Sequence, residues 1–117
     1  MRNEVSFEGI GGDIATFYAE PGVQPGHVVK LSANATVAPC EAGDRFCAVA
    51  LNVRGDVSAV QFGGFVQLLC TDEAVRPGYV ALTADGAGGV KKAPTAPEGD
   101  EYLVVSRDGA GTVTVRL

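Results

Sequence analysis

The order of turns in this 117-residue chain repeats, and that repeat narrows the possible folds more than any other feature. Pro25-Gly26-His27-Val28 returns as Pro77-Gly78-Tyr79-Val80, and Gly43-Asp44-Arg45-Phe46 returns as Gly99-Asp100-Glu101-Tyr102. Each Gly-Asp segment leads into a Val-rich hairpin. Segments 46–53 and 57–62 flank Arg54-Gly55-Asp56, while 102–106 and 112–117 flank 107–111, with the turn chemistry that two-stranded connections need. The two displacements differ, so the copies share order without sharing register. A Pro-Gly turn, a strand, a loop, a Gly-Asp turn and a hairpin are used twice, over about 25–62 and 77–117.

Spacing inside the units is that of strands. Val113, Val115 and Leu117 alternate with Thr112, Thr114 and Arg116, the period of a half-buried strand. The Gly 16 and Pro 6 of the composition mostly punctuate short apolar runs and form no low-complexity tract. Gly63-Gly64 places a bend before a further strand over 65–70, and Thr71–Val75 has room for at most one short helical turn before Pro77. The chain is long enough for one core, and neither unit can bury its apolar face alone. The prediction is therefore an all-β fold, a compact β-barrel or sandwich built from two similar β units. It comprises a single β domain over 21–117 and an N-terminal arm over 1–20. Phe7, Ile10, Ile14, Phe17 and Tyr18 make the arm too apolar for a disordered tail, and Gly9, Gly11 and Gly12 let it bend. It is expected to lie on its own domain or on a partner, and those five residues are the candidate partner contacts.

Catalytic and metal chemistry find little support. His27 is the only histidine, so any triad or multi-histidine site would rest on it alone, and it reads as a surface strand residue. Asp13, Asp44, Asp56, Asp85, Asp100 and Asp108 each adjoin a glycine, where aspartate serves turns. Cys40, Cys47 and Cys70 match no disulfide or metal spacing and read as reduced, small apolar residues, with Cys40–Cys47 the one pairing to check. Gly9-Ile10-Gly11-Gly12 lacks the context of a phosphate loop. Arg54-Gly55-Asp56 is explained by turn chemistry rather than receptor binding, and Lys91-Lys92 lacks the flanking methionine of a biotinyl or lipoyl carrier. No cofactor and no metal are expected, and the chain is not expected to be an enzyme. A formal charge of -5 disfavours nucleic acid and anionic membranes. The start, Met1-Arg2-Asn3-Glu4, lacks a signal pattern, so folding in a cytoplasm is expected.

From about Pro25 to Leu117 the chain resembles capsid decoration, or head cement, proteins of tailed phages and prophages, the family of the lambda head decoration protein. The likeness rests on the order Pro25-Gly26-x-Val28, Ala48-Val49-Ala50, Val60 to Val66 with Gly63-Gly64 inside, Pro77-Gly78-Tyr79-Val80 with Leu82, and Val104-Val105 before 112–117. The resemblance implies a structural protein that binds the exterior of the virion capsid, assembled in the bacterial host cytoplasm. Its partner is the major capsid protein, and it is a homo-oligomer, a trimer on the capsid. The family has no catalytic residues to carry over. A β-rich ligand-binding or adhesion module, such as a phage tail or fibre component, is the alternative.

Overall fold

The computed structural model describes residues 12–94, 100–109 and 111–117, and contains strands but no helix among them. The strands are β1 (Ile14–Ala19), β2 (Val28–Ala33), β3 (Thr36–Pro39), β4 (Ala48–Ala50), β5 (Val57–Gln61), β6 (Phe65–Leu69), β7 (Gly78–Ala84), β8 (Val90–Lys92), β9 (Asp100–Arg107) and β10 (Thr112–Arg116). The first five form a closed barrel in the order β1-β3-β2-β4-β5, and the other five form a sheet in the order β6-β10-β9-β7-β8. When β1 to β5 are matched with β6 to β10, the two orders are the same. The protein is an all-β fold made of one five-stranded arrangement used twice.

Strand register extends the match. β1 pairs antiparallel with β5 from Ile14↔Gln61 to Tyr18↔Val57, and β6 pairs antiparallel with β10 from Phe65↔Arg116 to Leu69↔Thr112, residue for residue. Onward pairing gives one row across each unit, Ile14-Gln61-Val49-Val28 in the first and Phe65-Arg116-Leu103-Tyr79 in the second. Tyr79 is thus the structural counterpart of Val28, one position away from the letter likeness of the two Pro-Gly segments. Similarly, Tyr102 corresponds to Ala48, because Val29↔Ala48 matches Val80↔Tyr102. Turn lengths drifted between the copies while the register of the paired rows, which decides which face each side chain occupies, was kept, apart from irregularities at Leu31/Ala33 in β2–β3 and Thr114/Val115 in β9–β10.

The units differ at one seam. In the barrel, β1 and β3 run parallel and pair at Tyr18↔Thr36 and Ala19↔Val37, and the Glu20 N–H donates to the Val37 carbonyl at 2.9 Å. No ladder joins β6 to β8. Instead the Lys92 N–H donates to the Asp72 carboxylate at 3.0 Å, and a Cβ added at Gly89 would collide with the carbonyl of Leu69. A side chain and a close approach of two backbones thus draw the second seam together at one end.

The open sheet is filled by the barrel. Val28, Phe46 and Val49 join Leu68, Leu82, Val90, Val104, Val113 and Val115 in one buried cluster. Val29, Val37, Ala48, Ala50 and Val60 form a second cluster inside the barrel, with Phe17 and Ala19 against it. Successive residues of a strand point to opposite faces. β2 therefore sends Val29 into the barrel and Val28 into the neighbouring sheet, and β4 likewise divides Ala48 and Ala50 from Val49. Burial on both faces explains why Val28-Val29 at the start of β2 and Ala48-Val49-Ala50 in β4 are consecutive apolar residues rather than alternating ones.

The segment 1–20, set apart in the sequence as an arm, contributes β1, so its described portion is a barrel strand. Its alternation, with Ala15, Phe17 and Ala19 less exposed than Ile14, Thr16 and Tyr18, is the signature of one face turned inward. The helical turn allowed over 71–75 is instead a non-helical turn, in which Asp72 accepts from the Ala74 N–H with its carboxylate and from the Val75 N–H with its carbonyl. Lys91 and Lys92 lie in β8, where charged side chains guard an edge strand.

Replacing Gly89 by Ala is expected to destabilise the fold by about 1–3 kcal/mol, since the new methyl meets backbone that cannot move aside. Gly109→Ala, with open space around it, is the neutral control. Urea unfolding compares them, and equal midpoints would refute the seam contact.

Candidate functional site

The barrel opens at the end where β2 and β5 run on past their last buried residues. Leu31 continues the inward phase of Val29, and Phe62 continues that of Val60, but both emerge at the rim and are exposed. With Phe17 and Val37 beneath and Cys47 at the side, they line an apolar mouth of about 350 Å³. Leu31, Cys47 and Phe62 also border a groove of about 520 Å³ that runs towards the second unit, past Lys30, Asp44 and Tyr102.

The far end of that groove is polar and is built where Asp44, Arg45 and Phe46 meet Asp100 and Tyr102. Arg45 Nη2 lies 2.5 Å from Asp100 Oδ1, and the rings of Phe46 and Tyr102 stack with centroids 5.0 Å apart and planes inclined by 16°. Beside them Lys30 Nζ donates to Asp44 Oδ2 at 2.6 Å, which also accepts the Glu41 N–H at 2.9 Å. The hydrogen bond from Lys30, and then that from Glu41, hold the Asp44 carboxyl below its usual range, and Asp44 in turn raises Lys30. Desolvation, then the charge of Asp100, pushes the Tyr102 phenol up to about 12. These ion pairs are solvent-accessible and set orientation more than stability.

The five arm residues separate on the structure. Phe7 and Ile10 lie outside the described residues. Ile14 and Tyr18 stand on the outer face of β1, 57% and 58% exposed, while Phe17 turns inward and floors the barrel mouth. Leu31 and Phe62 were not singled out in the sequence. Their signal was the period-2 phase of Val29 and Val60 carried one step beyond the strand core.

The remaining candidates have structural roles. Asp44, Asp85 and Asp108 accept backbone N–H groups of their own turns. His27 is half-buried, with its ring where a Cβ of Gly88 would stand. Arg54, Gly55 and Asp56 are exposed at the β4–β5 hairpin, with Gly55 at φ 60 supplying the turn. All three cysteines are free. Val29 pairs with Pro39 on one side and Ala48 on the other, so β2 stands between Cys40 and Cys47. Two inter-strand steps amount to roughly 9–10 Å, beyond disulfide reach. Desolvation, followed by the Asp44 charge, pushes the Cys40 thiol up to about 12, and desolvation also raises Cys47, the opposite of an activated nucleophile. Among the described residues no three His, Cys, Asp or Glu side chains are grouped to hold a metal. In comparisons with known proteins, no family model and no curated sequence matches the chain.

The raised Cys40 sets a pH dependence. The folded state holds this proton more tightly than the unfolded chain, so the associated stability is full below pH 9.0 and is lost as pH rises towards about 12. The urea midpoint is expected to fall between about pH 8 and pH 10, and to fall less in Cys40→Ser; identical slopes would refute the assignment.

Proposed function

We propose that the chain is a structural protein that binds the exterior of a phage or prophage capsid and stabilises the expanded shell by bridging copies of the major capsid protein. The observation that carries this reading is the exposure of large apolar side chains on rigid strands: Ile14 and Tyr18 on β1, and Leu31, 59% exposed, at the barrel rim. Apolar side chains gathered on a strand face mark contact surfaces, and a strand already formed carries them without the backbone ordering cost of a disordered segment. The net charge of -5 suits a protein held outside a DNA-filled shell, and the order of turns and strands resembles that of head decoration proteins. Binding the expanded lattice and not its precursor shifts the equilibrium towards expansion by mass action, and many copies multiply the effect. In this reading the protein is made in the bacterial cytoplasm, occupies the virion surface, assembles as a trimer on the capsid, and acts without catalysis or cofactor.

A second reading, a ligand-binding or adhesion module of a phage tail or fibre, is favoured by the apolar barrel mouth, which has the concavity of a small-molecule site. Co-sedimentation separates the two. Purified protein mixed with expanded, undecorated heads of the phage that carries the gene is expected to pellet with them, and to stay in solution with unexpanded precursor heads. Labelling confined to tails or fibres, or equal binding to both head forms, would overturn the capsid reading.

A further inference from the structure

Over its first half β1 is paired on one side only. Against β5 it is matched from Ile14 to Tyr18, but against β3 only at Tyr18 and Ala19, because the β2–β3 hairpin turns at Asn34-Ala35 and β3 begins at Thr36. Backbone N–H groups along a strand alternate between its two sides. The Ala19 N–H donates to Asp56 beside β5 at 2.8 Å, whereas those of Tyr18 and Glu20 donate to Ala35 and Val37 on the β3 side at 2.7 and 2.9 Å. Ile14 and Thr16 share the phase of Tyr18 and Glu20. Their N–H groups therefore face the open side, where no strand stands among the described residues. The opening continues into the apolar mouth, where Phe17 is only partly buried and Leu31 and Phe62 are 59% and 46% exposed. An unpaired strand edge beside an uncovered apolar hollow accepts one more strand, whose backbone pairs with the edge while its inward side chains fill the hollow. The described chain begins at this spot: a Cβ on Gly12 would lie 3.3 Å from Gln61 Nε2 and 3.9 Å from the Gly63 carbonyl, the two residues that flank Phe62.

We propose that residues 4–8 form that strand, doubling back through residues 9–12 to pair antiparallel with the open edge of β1. Val5 and Phe7 alternate with Glu4, Ser6 and Glu8, the period of a strand with one wet and one dry face, and Gly9, Gly11 and Gly12 permit the reversal. Residues directly opposite in an antiparallel pair share a face. The register that sets Phe7 beside Ala15 and Val5 beside Phe17 turns both apolar side chains into the mouth, and Glu4, Ser6 and Glu8 towards water. Ser6 and Glu8 then stand opposite Thr16 and Ile14, whose N–H groups their backbone carbonyls accept. Phe7, a candidate partner contact in the sequence, thus serves the chain's own barrel, and any ligand of the mouth has to displace it. This pairing stands whether or not the protein decorates a capsid.

Amide hydrogen exchange read by NMR on the full chain tests the strap, because the two sides of β1 report separately. The Ile14 and Thr16 amides are expected to be protected on the order of 10²-fold over free-peptide rates. Val5→Ser with Phe7→Ser is expected to lower that protection by about tenfold or more, while Ala15 and Phe17, whose N–H groups face β5, keep theirs. Should the double variant melt early, Thr16→Pro removes a donor from the open side alone and is expected to give the same loss at Ile14. Free-peptide exchange of Ile14 and Thr16 in the unsubstituted chain, or protection that survives these substitutions, would overturn the proposal. In a mixture of isotope-labelled and unlabelled chains, nuclear Overhauser contacts from Phe7 to Ala15 within one chain support it. The same contacts found only between chains would overturn it by assigning the edge to the segment of a second copy.

Discussion

Burial of the start of β2 and of β4 on both faces is the constraint on which the molecule depends. A closed five-stranded barrel is ordinarily apolar inside and polar outside, but here Val28, Phe46 and Val49 on its outer side complete the core of the second sheet. The second sheet has no ladder to close its own seam, and without these three residues its apolar floor would face water. Each fully buried aliphatic or aromatic side chain contributes about 1.5–3 kcal/mol, a large share of the net stability of a domain this size. The short β4, Ala48–Ala50, therefore matters more than its length suggests. Its alanines keep the barrel narrow while its valine serves the neighbouring sheet.

The fold was legible in the sequence to the extent that turns and strand periods decide it. Both hairpins, the bend at Gly63-Gly64 and the twofold use of one unit follow from Gly, Pro and Asp placed between Val-rich runs. A barrel was among the expected closures, but closure of the first five strands on themselves was not legible, because a parallel pairing such as β1 with β3 joins distant segments and leaves no local mark. Equivalence between the units was misplaced by one or two residues, since similar letters lay in turns whose lengths had drifted. β1 was hidden for a related reason. Its Phe17-Tyr18 doublet looks apolar throughout, although only Phe17 faces the core. The rim residues Leu31 and Phe62 were missed because being exposed or buried at a strand end depends on where neighbouring strands stop.

The site has two chemically distinct ends. At the barrel mouth, apolar side chains stand exposed because the strands that carry them outlast their neighbours. At the other end, Arg45–Asp100 and Phe46–Tyr102 join the two units as a clasp. The thiols of Cys40 and Cys47 and the phenol of Tyr102 hold their protons more tightly around this clasp because they are desolvated.

The asymmetric packing of two alike units gives the chain a direction. The first unit pairs its own backbone into a closed ring, whereas the second completes its core only by taking in side chains of the first. During synthesis the half that closes its own ring leaves the ribosome first, and the dependent half follows the side chains that complete its core. The order of the halves in the gene thus coincides with the order in which one can template the other. Exchanging them would bring the half with the open floor into solution first, exposing its apolar strands to association with other chains.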